Sequence, residues 1–295
     1  MIPKAAFSLC WNGRRLDLGP RTLVMGVLNV TPDSFADGGR YLKEETAIEH
    51  GLSMAAEGAD ILDVGGESTR PFSDQVSVEK EKARVVPVIE ALARKVDIPI
   101  SIDTTKVEVA RAAFQAGASI LNDVSALRFD TALAEVAAEA GVPVVLMHMK
   151  GEPRNMQMDP TYKALLPEVL TFLEDAVQRA VEAGIAREHI LIDPGIGFGK
   201  TFDHNLQLLR DLSELSKLDL PVVLGCSRKA FLGGILGKEP DGRDVGTMAA
   251  VAAGVLNGAH VVRVHNVGMA VDTVRVIDAI QRGSVPAAEG RGRGS

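Results

Sequence analysis

Residues 99–123 read PISIDTTKVEVARAAFQAGASILND, and they hold one complete repeat of the pattern that decides the fold. A short apolar run at 99–102 predicts a strand, and Asp103 follows it directly. A helical pattern comes next and stops at Gly117, a residue type that readily takes the left-handed conformation with which many helices end. A second apolar run at 120–122 predicts the next strand, which leads into Asp123. Short apolar runs of this kind suit strands buried on both faces, as a parallel sheet requires.

The same unit recurs along the chain. Runs at 22–28, 61–64, 142–147, 190–192, 222–224 and 261–264 predict the other strands. Segments 44–57, 79–95, 165–183 and 205–218 mix Ala, Leu, Glu and Arg at helical spacing. Gly58, Gly141 and Gly258 fit helix-stop positions like that of Gly117. Roughly eight such βα units predict an α/β fold, a TIM (β/α)8 barrel; a doubly wound open sheet has no need of so many evenly spaced units. Ahead of the barrel, residues 7–18 centre on Asn12-Gly13 and predict a short hairpin. From Gly283 onward the chain is Gly, Pro, Ala and Arg, so residues 1–282 are expected to form the barrel and 283–295 a disordered tail.

Composition narrows the function. Apolar residues make up 46% of the 295 and aromatics only 4%, so the core is built from Ala, Val, Leu and Ile. A net charge of -7 leaves no electrostatic footprint for nucleic acid, and no basic run suggests a membrane surface. Cys10 and Cys226 form neither a disulfide framework nor a metal quartet, so two reduced thiols are expected. With no secretory leader pattern and no run of membrane-spanning length, the expected protein is soluble and cytoplasmic.

Nearly every predicted strand runs into a polar segment at its C-terminal end: Asn29 and Thr31-Pro32-Asp33-Ser34-Phe35 with Asp37; Gly65 to Arg70; Asp103; Asn122-Asp123; His148; Asp193; Ser227-Arg228-Lys229; and Arg263 with His265. In a barrel these ends converge on one face, where active sites sit. Any one polar residue there is unremarkable, and a packed imidazole accounts for His148 alone. Asp103, Asp123 and Asp193 would give the mouth an acidic side, and Lys229, Arg263 and His265 a cationic one. That partition suits a small molecule with a ring edge rich in N–H donors at one end and an anion at the other. The run Gly195 to Thr201 ends like a phosphate-binding loop, but Pro194 stands where that pattern needs glycine. No His/Cys spacing argues for zinc; a metal here is expected to be Mg²⁺ brought in with a diphosphate.

Taken together, GVLNVTPDSFADGG, GADILDVGGESTRP, SIDTTK, LNDVSA, VLMHMKGEPRNMQ, LIDPGIGFGKT, GCSRKAFLGG and VRVHNVG resemble the dihydropteroate synthase family over essentially the whole chain except its tail. The resemblance implies a transferase that joins a pterin diphosphate to 4-aminobenzoate with release of diphosphate, and a homodimer packed through outer helices. By the same resemblance, Asp103, Asn122 and Asp193 hold the pterin ring and Lys229 closes over it. Asn29 ligates Mg²⁺. Thr69, Arg263 and His265 bind the diphosphate, assisted by Arg70. Residues 68–71, Phe198 and the start of the helix after Lys229 form the 4-aminobenzoate pocket. Residues 31–39 act as a lid that brings Asp37 near the developing cation. Lys229, Arg263, His265 and Asp37 are the implied catalytic residues. Two positions depart from the family pattern: Asn266 stands where Asp is usual, which would support His265 less, and Ala230 stands where a hydroxyl is frequent. Two rival functions are a pterin-dependent methyltransferase, which has no diphosphate to release, and a non-catalytic pterin-binding paralogue, which would show losses among the basic residues.

Overall fold

A computed structural model describes residues 4–31, 40–68 and 75–284. The expected hairpin is present: β1 (Phe7–Trp11) pairs antiparallel with β2 (Arg14–Leu18), and Asn12 and Gly13 make the turn at φ 46° and 75°. Both residues hold positive φ, the requirement of a two-residue hairpin turn. Leu9, Trp11 and Leu18 are buried, and the hairpin bonds to Ala140, Asp97 and His189, each just ahead of a barrel strand. It therefore lies against the N-terminal end of the barrel.

The remaining strands are β3 (Leu23–Asn29), β4 (Ile61–Gly65), β5 (Ile100–Asp103), β6 (Ile120–Asp123), β7 (Val144–Met147), β8 (Ile190–Asp193), β9 (Val223–Leu224) and β10 (Val261–Val264). They form one parallel sheet in the order β8-β7-β6-β5-β4-β3-β10-β9, closed by a bridge between Ile192 and Val222. Among the described residues this is an eight-stranded barrel, as the repeat pattern predicts. Its helices are α1 (Arg40–Glu57), α2 (Val78–Ala93), α3 (Val107–Ala116), α4 (Ala132–Ala140), α5 (Leu165–Glu182), α6 (Phe202–Arg210), α7 (Ala230–Leu236), α8 (Asp244–Leu256) and α9 (Val267–Arg282). Strand residues are buried on both faces by side chains from the barrel interior and from the helices. The first barrel strand and the last helix are tied together where Asp278 on α9 accepts from the backbone N–H (2.7 Å) and hydroxyl (2.8 Å) of Thr22, just ahead of β3.

Gly117 ends α3 as anticipated, at φ 114°; a Cβ there would come within 2.6 Å of the Ala93 methyl, so both conformation and space demand glycine. One helix differs from expectation. The segment 205–218 is not continuous: α6 begins earlier, capped by Thr201, and ends at Arg210, after which 212–218 tightens into 3₁₀ turns. Leu212 and Leu215 are three apart and both buried, a spacing that a three-residue turn keeps on one side. The expected tail lies outside the described residues except for Gly283 and Ser284. No helix among the described residues is long and apolar enough to cross a membrane.

Candidate active site

Strand register places the polar strand ends in one row. Asn29 pairs with Gly65, Gly65 with Asp103, and Asp103 with Asn122, across four neighbouring strands. A Cβ built on Gly65 would lie 3.5 Å from the Asp103 Cβ and 3.8 Å from Asn29 Oδ1. The missing side chain thus leaves these two groups facing one space. Below the row sits Asp63, fully buried in the middle of β4. Its Oδ2 accepts from Asn122 Nδ2 (3.0 Å) and from Arg263 Nε (2.6 Å), while Arg263 Nη2 donates to Asp103 Oδ2 (2.7 Å). Sequence reasoning gave Asp63 no role, yet a carboxylate inside the apolar run ILDVG was a visible signal.

Arg263 therefore does not stand apart on a cationic side. Its guanidinium lies across the acidic side and ties β10 to β4 and β5, which corrects the expected partition. Two buried carboxylates drew it there, and they hold the guanidinium pKa above its ordinary value although burial opposes them. Asp103 feels the same pair of forces: burial raises its carboxyl to about 7, Arg263 pulls it back, and Asp63 pushes it up again. A second correction concerns Asp123. Side chains alternate along a strand, so Asn122 and Asp123 cannot both face the interior. Asp123 turns into the following loop, where it accepts from the N–H groups of Ser125 (2.7 Å) and Leu127 (2.6 Å). Its oxygens hold a turn in which Ala126 and Leu127 have positive φ. Asp193 is buried and raised above the usual carboxylate range by that burial; its Oδ1 accepts from Gly195 N–H (2.6 Å).

Phe198 and Lys229 meet face to face: the ammonium lies 4.0 Å from the ring centroid. Phe198 is buried against Val124, Met147, Met149 and Met156. Burial, then the neighbouring Arg263, lowers Lys229 to about 8. Lys229 is aimed by the residue before it. Arg228 sits in the left-handed region at φ 56°, a conformation costing a non-glycine residue about 1–2 kcal/mol. Its guanidinium is held outside the mouth by Asp244 through two bonds of 2.7 and 3.0 Å.

His265 Nδ1 lies 2.8 Å from Ser227 Oγ, which also accepts from the His265 backbone N–H at 3.2 Å. Ser227, named only as part of a loop in the sequence, is thus the neighbour that orients His265. Asn266 is not. Its Oδ1 accepts from Met269 N–H (3.2 Å) as the N-cap of α9, and its Nδ2 donates to Asp244 (3.1 Å). The departure from Asp at 266 therefore bears on the helix cap and on the Asp244–Arg228 pair. Asn266→Ala is expected to cost about 1 kcal/mol of stability, the worth of an N-cap, measured by urea denaturation. Ala230 opens α7, directly after Lys229.

Asp37, Thr69 and Arg70, with all of the expected 31–39 lid except Thr31 and with Pro71, lie outside the described residues. Glu67 and Val76, on either side of residues 69–74, are bonded to each other and to Lys106. Glu67 Oε1 accepts from Val76 N–H (2.8 Å), and Lys106 Nζ donates to Glu67 (2.6 Å), Glu81 (2.5 Å) and the Val76 carbonyl (2.8 Å).

The mouth thus joins a buried carboxylate–amide row, tied together by Arg263 and suited to a donor-rich ring, to a lysine over an aromatic ring and a histidine just past β10. Comparisons with known proteins agree with that chemistry. The sequence profile of the family described as "Pterin binding enzyme" matches residues 25–265. Dihydropteroate synthase of Escherichia coli (strain K12) is 46% identical over 267 residues, which is 90% of this chain and 94% of the relative. A Yersinia pestis dihydropteroate synthase solved with a sulfonamide drug superposes with a TM-score of 0.89 at 43% identity, over 94% of this chain and 100% of the other. Xanthomonas albilineans dihydropteroate synthase, solved with 4-aminobenzoic acid, gives 0.88 at 46% identity, over 94% of this chain and 99% of the other. The chain belongs to the dihydropteroate synthase family of pterin binding enzymes.

Proposed function

We propose that this mouth condenses (7,8-dihydropterin-6-yl)methyl diphosphate with 4-aminobenzoate to 7,8-dihydropteroate and diphosphate, a transferase step of folate biosynthesis. The observation that carries the proposal is the interior row of Asp103 and Asn122 with Arg263 fixed beside it. Asp103, Asn122 and Asp193 offer acceptors and an amide to the donor-rich pterin edge, where charge-assisted hydrogen bonds contribute about 1.5–3 kcal/mol each. Lys229 covers the ring. Arg263 and His265, with Thr69 and Arg70, take the charge of the departing diphosphate as its C–O bond breaks. The electron-rich pterin spreads the methylene cation left behind, the aniline nitrogen attacks it to form the C–N bond, and that nitrogen then loses its proton. A site that works this way needs no nucleophile–base pair. Asp37 would sit near the cation and Phe198 would wall the 4-aminobenzoate pocket.

Mg²⁺ fits the residues present as an ion carried mainly by the diphosphate. Among the described residues no group of three His, Cys, Asp or Glu could hold a metal, and Asn29 offers one neutral oxygen at the mouth. Mg²⁺ commonly takes one or two protein ligands and fills its shell with phosphate oxygens and water. When bound, it neutralises charge on the leaving diphosphate. Chelation with EDTA is expected to lower turnover at least about tenfold, with full recovery on adding Mg²⁺. Asn29→Ala should raise the Mg²⁺ concentration needed for half-maximal rate.

The protein is further proposed to be a cytoplasmic homodimer, acting on small molecules without nucleic acid or membrane. Phe202 and Leu206 on α6, Ile235 and Leu236 on α7, and Val245 on α8 are exposed apolar side chains on helices that touch one another, and they support association through outer helices. Sedimentation at a monomer mass would count against the dimer. Sulfonamide inhibition tests the pocket: it should raise the apparent KM for 4-aminobenzoate and leave kcat unchanged. Inhibition insensitive to 4-aminobenzoate would remove Phe198 and its neighbours from the amine pocket.

A further inference from the structure

The loop after β8 closes around a buried cation. Lys200 is 2% exposed and ranks among the largest fully buried side chains. Its ammonium donates to the carbonyls of Gly195 (2.9 Å) and Phe198 (2.9 Å) and to Nδ1 of His148 (2.9 Å), which satisfies its three hydrogens. None of these partners is a carboxylate; Asp193 favours the charge without bonding to it, and the cost of burial outweighs that help. His148 is suited to accept. It is 4% exposed, and burial, with Lys200 and Arg128 nearby, lowers it to about 2, so the imidazole is neutral. Its ring is fixed edge-on by Phe172, with centroids 4.7 Å apart. Neighbouring groups take two further loop carbonyls: Gln157 Nε2 donates to Gly197 (2.8 Å) and Tyr162 Oη to Gly199 (2.7 Å). The loop is packed without slack, because a Cβ on Gly195 would fall 1.9 Å from the His148 carbonyl oxygen and one on Gly197 would fall 2.9 Å from Lys229 Cδ.

We propose that Lys200 is a positioning residue: its buried ammonium, seated on His148, gathers the carbonyls of Gly195 and Phe198 and so holds the Phe198 ring under Lys229 as a preformed wall for the aromatic amine. The ammonium occupies the centre of the loop much as a bound cation would. This assignment of a role in catalysis rests on the proposed function; the bracing of the loop does not. Burial lowers Lys200 to about 7, with Asp193 acting to raise it and Lys229 to lower it, so an uncharged amine at higher pH would keep two donors for the two carbonyls.

Two readouts test the proposal. Lys200→Met should raise the KM for 4-aminobenzoate about tenfold or more, as expected when a reacting partner is misplaced by about 1 Å, while the KM for pterin diphosphate stays within about threefold. Hydrogen exchange at the Gly197 and Phe198 amides should accelerate about tenfold or more, with the amides of β8 unchanged. If Lys200→Met does not fold, position 148 decides. His148→Asn keeps an acceptor near the place of Nδ1 and should retain both the KM for 4-aminobenzoate and the slow exchange; His148→Leu should lose both. Unchanged loop exchange in Lys200→Met or His148→Leu, exchange raised throughout the barrel, or equal changes in both KM values would overturn the proposal. A parent chain that forms no dihydropteroate would instead overturn the reaction, and the exchange result would still decide whether Lys200 braces the loop.

Discussion

Asp103→Ala is expected to bind pterin diphosphate about a hundredfold or more weakly than the parent chain, because it removes a charged acceptor from the centre of the interior row. The barrel should remain folded. Arg263 keeps its 2.6 Å bond to Asp63, so the guanidinium is not left without a carboxylate. Burial raises Asp103 to about 7, against an ordinary value of 3.8. The folded chain therefore binds more protons than the unfolded one between those values, and this carboxylate costs increasing stability as pH rises through that window. The stability of Asp103→Ala relative to the parent should accordingly improve from about pH 4 to pH 7 and then level off. Calorimetric titration with the pterin diphosphate and thermal melts across that range are the measurements. Normal pterin affinity in the variant would remove Asp103 from the site.

Lys229→Ala should lower kcat by about a hundredfold or more, the scale on which losing the group that positions a reacting ring acts. Its melting temperature should change little. The charged side chain is held at an energetic cost: burial and Arg263 lower it to about 8 from an ordinary 10.5. Between those values the unfolded chain holds the proton more than the folded one does, so the parent gains stability as pH rises through that window, and the cost is present in full below about 8. Any stability advantage of the variant is therefore greatest below that point and shrinks toward pH 10.5. If the ammonium is the active form, kcat of the parent falls as pH passes about 8. An unchanged kcat in Lys229→Ala would exclude the residue from the chemistry.

The barrel was legible because each βα unit carries its own punctuation. An apolar run, a polar strand end and a glycine stop recur from β3 to β10, and Gly117 shows why: neither its conformation nor its surroundings admit a side chain. Strand ends could be placed on one face, but the direction of each side chain could not. Its place at a strand end groups Asp123 with Asp103, but the alternation of a strand sends it to the loop backbone. Sequence position groups Arg263 with Lys229 and His265, but two carboxylates from β4 and β5 hold it. Asp63 lies within a strand and not at its end, so the strand-end pattern does not single it out. The partners of His265 are likewise a matter of tertiary packing. Ser227 is 38 residues away in sequence, whereas the adjacent Asn266 turns to cap a helix. The break after α6 is not legible in the sequence, because apolar residues three apart fit both an α-helix and a 3₁₀ turn.

Amine-dependent diphosphate release tests the central claim most directly. The purified chain is incubated with the pterin diphosphate and Mg²⁺, with and without 4-aminobenzoate, and both diphosphate and the pterin product are followed. Dihydropteroate formed in step with diphosphate, only when the amine is present, is the predicted result. Pterin binding without dihydropteroate under either condition would contradict it and point to a pterin-binding protein that has kept the fold and lost the reaction.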